Sequence, residues 1–382
     1  MKFYKLNSLT QNAKQILQSV GCDKAGIEIM SKKTKTHLLY IEELHVGAAN
    51  ILKQDALSIG ADLAVPDGVI IAKDKYVNAV LMGTTKHFEI LARKELAQPF
   101  GLKELAKQLK SFINFQTKPT KIMGVINANE DSFFEGSRFK ESDAIAKIEK
   151  MIEDGADIID IGAVSSRPGS VAVCAEEELR RLEFLFASIH SQKLFEKVNF
   201  SIDSYEPVVI EKALDCGFAI VNDISGIKNI EIANLSAKYD ASLVIMHMQG
   251  EPQTMQQNPI YSNVMTDVDE FFRNKIEIAK NAGVENIILD VGIGFGKKLE
   301  HNLELLRNLE HFLHFGYEVL IGASRKSMIN EIFPSAVPDR LAGTLAIHLD
   351  AVNKGASIVR CHDVYEHKQA LLVTEFINKN LN

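Results

Sequence analysis

Downstream of residue 120 the chain alternates between short, largely apolar runs and longer stretches in which apolar residues return every three or four positions. The short runs fall at about 122–126, 157–160, 198–202, 218–221, 243–246, 287–289, 319–321 and 357–359. A run with no polar face predicts a strand covered on both sides, whereas the longer spacing predicts a helix with one buried stripe. Strand and helix therefore alternate eight times, the count that closes a parallel (β/α)8, or TIM, barrel. The punctuation agrees with this periodicity. Ser142 and Asp143 are placed to cap a helix that carries Ile145, Ile148, Met151 and Ile152 on one face, and Gly155 is placed to stop it. Pro207 suits a first helical turn, with Val209, Ile210, Ala213 and Leu214 as the stripe and Gly217 as the stop.

Before residue 120 the pattern predicts a smaller α/β domain. Helical periodicity covers about 8–20, 45–58, 85–97 and 101–113, and strands are predicted at 38–41, 69–72 and 79–82. Phe115-Gln116-Thr117-Lys118-Pro119-Thr120 is polar and contains proline, a linker signature, so the domains are placed at 1–115 and 116–382. His45 and His87 read as surface or packing residues. With no cluster of titratable groups there, the expected role of the first domain is stability or assembly, with no catalytic group supplied.

Charge and cysteine usage exclude some classes. Residues 1–120 hold 17 Lys and Arg against 11 Asp and Glu, and the remainder 26 against 39, so the net charge of −7 is unevenly spread. Neither part is strongly basic, and there is no aromatic stacking array, so a nucleic-acid partner is not expected. No apolar stretch reaches the length of a membrane span, and the opening residues lack the apolar core of a signal peptide, so no membrane association and a cytoplasmic location are expected. Cys22, Cys174, Cys216 and Cys361 lack metal-knuckle spacing and read as reduced thiols.

The candidate chemistry lies where the apolar runs end, because a barrel brings those ends to one mouth. The first run leads into Asn127-Ala128-Asn129-Glu130 and Phe133, and the second into Asp160-Ile161-Gly162 and Ser165-Ser166-Arg167-Pro168-Gly169. The next three end in Asp203-Ser204, Asn222-Asp223 and Met246-His247-Met248. The last three end in Asp290-Val291-Gly292-Ile293-Gly294-Phe295-Gly296-Lys297, Ser324-Arg325-Lys326-Ser327 and Arg360-Cys361-His362-Asp363. In this order they resemble the dihydropteroate synthases over the whole of 121–382, with 1–115 outside the family pattern.

The resemblance implies a transferase of folate biosynthesis. It would join 6-hydroxymethyl-7,8-dihydropterin pyrophosphate to the amine of 4-aminobenzoate, releasing pyrophosphate and giving 7,8-dihydropteroate. Asp203, Lys326 and Arg360 would be the catalytic groups, and the pterin would lie against Asp203, Asn222, Asp290, Lys326 and Arg360. Pyrophosphate would meet Asn127, Ser166, Arg167, Arg360 and His362, with Mg²⁺ taking an oxygen from Asn127. 4-Aminobenzoate, or a sulfonamide mimicking it, would meet Phe133, Arg167, Pro168, Phe295 and Ser327. A homodimer is also implied. These residue types suit the tasks: short acceptors and amides match a heterocycle edge, and arginine forks match phosphate oxygens. The first two loops are expected to stay mobile until an anion pairs with Arg167, which would make 4-aminobenzoate bind second.

The chain departs from the family pattern at several loop positions. Asn129-Glu130 stands for the usual Thr-Pro, Glu135 for a shorter Asp, Val164 for Glu, Ser166 for Thr, Gln249 for Arg and Val291 for Pro. Other motif readings fail on spacing. The glycines around Phe295 lack the first glycine and the terminal Ser/Thr of a phosphate loop, and Gly322-Ala323-Ser324-Arg325 lacks the second glycine of a nucleophile elbow. His247 and Cys361 read as packed residues. Two rival functions are a pterin-binding methyltransferase and a non-catalytic paralogue. The methyltransferase should lack Arg167-Pro168-Gly169 and Ser324-Arg325-Lys326-Ser327, which serve pyrophosphate and aminobenzoate.

Overall fold

The computed structural model describes residues 1, 2, 4, 6, 12–113, 118–128, 138–164, 173–251 and 254–378, excepting the side chains of 138–142. It divides into two compact units, with the main division after residue 116.

The first unit is built on a three-stranded antiparallel sheet in the order β1 (Thr36–His45), β3 (Tyr76–Thr84), β2 (Asp62–Ala64). Burial alternates along β3, so Val77, Ala79 and Leu81 face a core shared with Leu52, Phe88, Leu91, Leu102 and Leu109 from three helices. Those helices, Val46–Leu57, Thr85–Lys94 and Leu102–Ile113, occupy three of the predicted segments. His45 and His87 are structural: each ring accepts a backbone N–H, from Gly47 and Thr84, at a helix start. The strand predicted at 69–72 is a turn instead. Val69 alone is buried there, while Ile70 and Ile71 are 90% and 79% exposed. The preceding Pro66-Asp67-Gly68 outweighs the apolar run, with Gly68 in the left-handed region at φ +85°. The helix predicted at 8–20 is Ala13–Ser19 among the described residues, and an unanticipated helix, Lys24–Ser31, is capped by Asp23.

Glu95 is fully buried beside Asp55 in this unit; burial, then the Asp55 charge, push its carboxyl up to about 7 from 4.5. The fold thus favours the protonated form. Its contribution is complete below about pH 4.5 and is lost as pH rises through 7. Glu95→Gln is therefore expected to raise the thermal midpoint at pH 8 and leave it nearly unchanged at pH 4; equal shifts at both would contradict this.

The second unit is a closed barrel of eight parallel strands. These are β4 (Lys121–Asn127), β5 (Ile158–Gly162), β6 (Asn199–Asp203), β7 (Ile220–Asp223), β8 (Ser242–Met246), β9 (Ile287–Asp290), β10 (Glu318–Ile321) and β11 (Ile358–Cys361). They pair in chain order, with β11 returning to β4. Every strand lies within two residues or so of its predicted run. Pro207 opens the helix Pro207–Asp215, and Gly155 and Gly217 follow their helices at φ +94° and +95°. The helix before β5 runs Arg138–Glu153, so Ser142 and Asp143 lie inside it and do not cap it.

Candidate active site

Inside the barrel Met123, Ile158, Ile220, Val244, Ile288, Leu320 and Ile358 form a buried apolar layer, one residue from each of seven strands. Side chains alternate along a strand, so the residue two positions on returns to the interior, one step nearer the mouth. Two positions beyond Ile158, Ile220, Ile288 and Ile358 stand Asp160, Asn222, Asp290 and Arg360. The polar floor of the mouth is thus a consequence of strand period. The positions that follow Asn222 and Arg360 alternate outward again: Asp223 accepts the N–H groups of Ser225 and Ile227 to shape a turn, and Cys361 is buried, as its packing role requires.

Arg360 is the hub of this floor. Its Nε donates to Asp160 Oδ2 at 2.6 Å and its Nη2 to Asp203 Oδ2 at 2.7 Å, while Asn222 Nδ2 donates to the same Asp160 oxygen at 3.1 Å. Asp160 is fully buried, and its Oδ1 has no partner among the described residues. Burial pushes Asp203 up to about 7, against the opposing charge of Arg360 and with the help of Asp160, Asp223 and Asp290. Burial likewise raises Asp290, which Lys326 opposes. The mouth therefore holds an excess of carboxyl groups over cations.

Facing this floor, Lys326 donates to the Ile293 carbonyl and its Nζ lies 4.4 Å from the centre of the Phe295 ring. Burial lowers its ammonium to about 8, a shift that the Asp290 charge resists. The helix Ser327–Ile332 starts next, with Ser327 exposed. At the rim His362 Nδ1 lies 2.9 Å from Ser324 Oγ, and burial followed by the Arg360 and Arg325 charges depress it to about 4. It is therefore neutral at pH 7 and can give one N–H to an anion. Asp363 pairs with Arg325 at 2.5 Å, not with Arg360 or His362. Asn127 ends β4, half-buried, and no described residue bonds its amide.

Asp203, Asn222, Asp290, Lys326, Phe295 and Arg360 thus converge as their strand-end positions predicted, with Asn127, His362 and Ser327 at neighbouring strand ends. Phe133, Ser166, Arg167 and Pro168, and with them the expected loop mobility, fall outside the described residues. Asp160 was absent from the predicted set. Its signal was available in the sequence, since it lies two positions after a buried Ile just as Asn222 and Arg360 do. Gln249, a departure from the family pattern, is occupied structurally: its amide exchanges two hydrogen bonds with the Ile260 backbone.

The sequence model of the family described as pterin binding enzyme matches residues 123–362. A bifunctional dihydropteroate synthase/dihydropteroate reductase of Helicobacter pylori is 42% identical over 355 residues, covering 93% of each chain. A dihydropteroate synthase of Haemophilus influenzae is 42% identical over 64% of this chain and 88% of its own. Among solved structures, the dihydropteroate synthase of Clostridium difficile, determined in the presence of pteroic acid, superposes with a TM-score of 0.64 at 39% identity. That match covers 70% of this chain and 99% of that one. With the family model matching well over half its length, and full-length relatives of this identity, the chain belongs to the pterin-binding enzymes and, within them, to the dihydropteroate synthase family.

Proposed function

We propose that the barrel mouth condenses 6-hydroxymethyl-7,8-dihydropterin pyrophosphate with 4-aminobenzoate, releasing pyrophosphate and forming 7,8-dihydropteroate. The observation that carries this reading is the Arg360 hub, which sets two carboxylates and the Asn222 amide on one floor, opposite Lys326 and Phe295. A pterin presents ring N–H and amino donors beside acceptors, and Asp203, Asn222 and Asp290 offer the complementary set. The unpartnered Asp160 oxygen adds a further acceptor. In the reaction the C–O bond from the pterin methylene to pyrophosphate breaks, a C–N bond to the aniline nitrogen forms, and that nitrogen loses a proton. Asp203, as a carboxylate, stabilises positive charge spreading from the methylene into the ring. The aniline is unprotonated near neutral pH, so no strong base is needed. Arg360 and His362, with Ser166 and Arg167 from the second loop, bind the departing anion. Phe295, Ser327, Phe133 and Pro168 line the aminobenzoate side.

Asn127 fits Mg²⁺ as a single neutral ligand, because its side-chain oxygen is not taken by any described residue and the rest of an octahedron can come from water and phosphate. When bound, the ion neutralises charge on the leaving pyrophosphate. The family resemblance further implies a homodimer, and the hydropathy pattern with the polar opening residues supports a cytoplasmic location. Incubation of the chain with both substrates and chromatography of the products tests the reading, and failure to form 7,8-dihydropteroate overturns it.

A second activity is favoured by one observation. The Helicobacter relative, named for a dihydropteroate reductase as well, matches over 93% of each chain, a span that takes in most of the first unit. On this reading the chain would also reduce the pterin ring of 7,8-dihydropteroate, with a reduced nicotinamide or flavin as the chemical class that would supply the hydride and solvent the proton. Oxidation of the donor that depends on added 7,8-dihydropteroate is the expected result; no dependence, with either donor, would refute it.

A further inference from the structure

The glycine-rich segment after β9, which failed as a phosphate loop, contains a lysine with no evident use in the reaction. Lys297 is 3% exposed, and its Nζ points at backbone rather than into the mouth. It donates to the carbonyls of Gly292 and Phe295 at 3.0 Å each and of His247 at 3.2 Å, and lies 2.9 Å from His247 Nδ1. No ion pair links it to a carboxylate among the described residues. Three donors facing three carbonyls and one imidazole nitrogen describe an ammonium, with His247 neutral and accepting through Nδ1. Burial lowers Lys297 to about 7, partly countered by Asp290, and drives His247 down to about 2.

The loop geometry explains how those carbonyls come to face inward. Gly292, Gly294 and Gly296 all lie in the left-handed region, at φ +68°, +81° and +58°. A Cβ on Gly292 would stand 1.9 Å from the His247 carbonyl oxygen, and one on Gly296 2.3 Å from that of Gln249. The segment is therefore wound tightly onto the strand end after β8, and Lys297 ties the two together from below. Gln256, Tyr261 and Asn302 hold the same loop through Gly294 and Gly296. Its product is the position of Phe295, whose ring underlies Lys326.

We propose that Lys297 is a positioning residue, one that fixes the Phe295 ring against Lys326 and so shapes the aminobenzoate side of the mouth without touching substrate. This rests on the reading of Phe295 given above. Lys297→Met keeps the volume and removes the three donors. It is expected to raise the KM for 4-aminobenzoate about tenfold while changing kcat less than about threefold, the pattern of lost binding rather than lost chemistry. Acting through Phe295, it should add almost nothing in a Phe295→Ala background, where the two effects fail to sum. A general structural role would lower soluble yield or kcat and give additive losses. Should Lys297→Met not fold, Lys297→Gln, which keeps two donors, is put through the same cycle with a smaller expected rise. Silence of the Lys297 variants, or additivity with Phe295→Ala, overturns the positioning role alone. A Phe295→Ala variant with unchanged KM for 4-aminobenzoate instead overturns the substrate reading of Phe295, and the proposal with it.

Discussion

Asp203→Ala is expected to lower kcat by about a hundredfold to a thousandfold, the scale on which a single electrostatic contact to a developing charge acts. The KM for 4-aminobenzoate should move less than about threefold, because Asp203 sits on the Arg360 side of the mouth and Phe295 on the Lys326 side. Stability should not fall with activity. Asp203 lies among three other carboxyl groups, and burial has already pushed it up to about 7 from 3.8, so ionising it at pH 8 opposes folding. Wild-type stability from this group is complete below about 4 and is lost as pH rises through 7; the alanine variant lacks that loss. Its melting temperature at pH 8 should equal or exceed that of the wild type while its turnover is nearly gone. Steady-state kinetics and melting curves on the same preparations check both halves, and equal losses in kcat and aminobenzoate affinity would refute the assignment.

Arg360→Met should do the opposite to stability. The guanidinium serves Asp160, which is fully buried, and Asp203 at once. Removing one partner of a buried ionic set leaves uncompensated charge, with a typical loss of about 3–5 kcal/mol, whereas the ion pair itself contributes far less. The loss should depend on pH. Without the cation that opposes burial, Asp203 rises above its present value, so the folded form takes up a proton and part of the stability returns on acidification. Urea unfolding at pH 5 and pH 8 is expected to show the smaller deficit at pH 5. A deficit below about 1 kcal/mol, or one independent of pH, would show that Arg360 is not the hub of the floor.

The fold of the second unit was legible because most of its strands are apolar on both faces and alternate with stretches of helical periodicity, so local pattern and global topology agree. The same logic misled at 69–72, where apolar residues follow Pro66-Asp67-Gly68 and turn chemistry outweighs the run. The helix Lys24–Ser31 was missed because none of its residues is fully buried, which leaves only a weak stripe to read. In the site, Asp203, Asn222, Asp290 and Arg360 were legible as strand ends. Asp160 carried the same signal, two positions after a buried Ile, and was overlooked; only its task of orienting Arg360 and Asn222 needs the strands closed on one another to be seen. Lys297 was illegible for a related reason. A lysine in a glycine-rich loop suggests an anion, and only the left-handed glycines reveal that its partners are carbonyls.

The most direct test of the reaction is pyrophosphate release by the full chain supplied with 6-hydroxymethyl-7,8-dihydropterin pyrophosphate, with and without 4-aminobenzoate. Release that appears with 4-aminobenzoate, matches 7,8-dihydropteroate one for one and collapses in Asp203→Ala is the expected result. Release that ignores 4-aminobenzoate, or that survives Asp203→Ala undiminished, would contradict the role given to the barrel mouth.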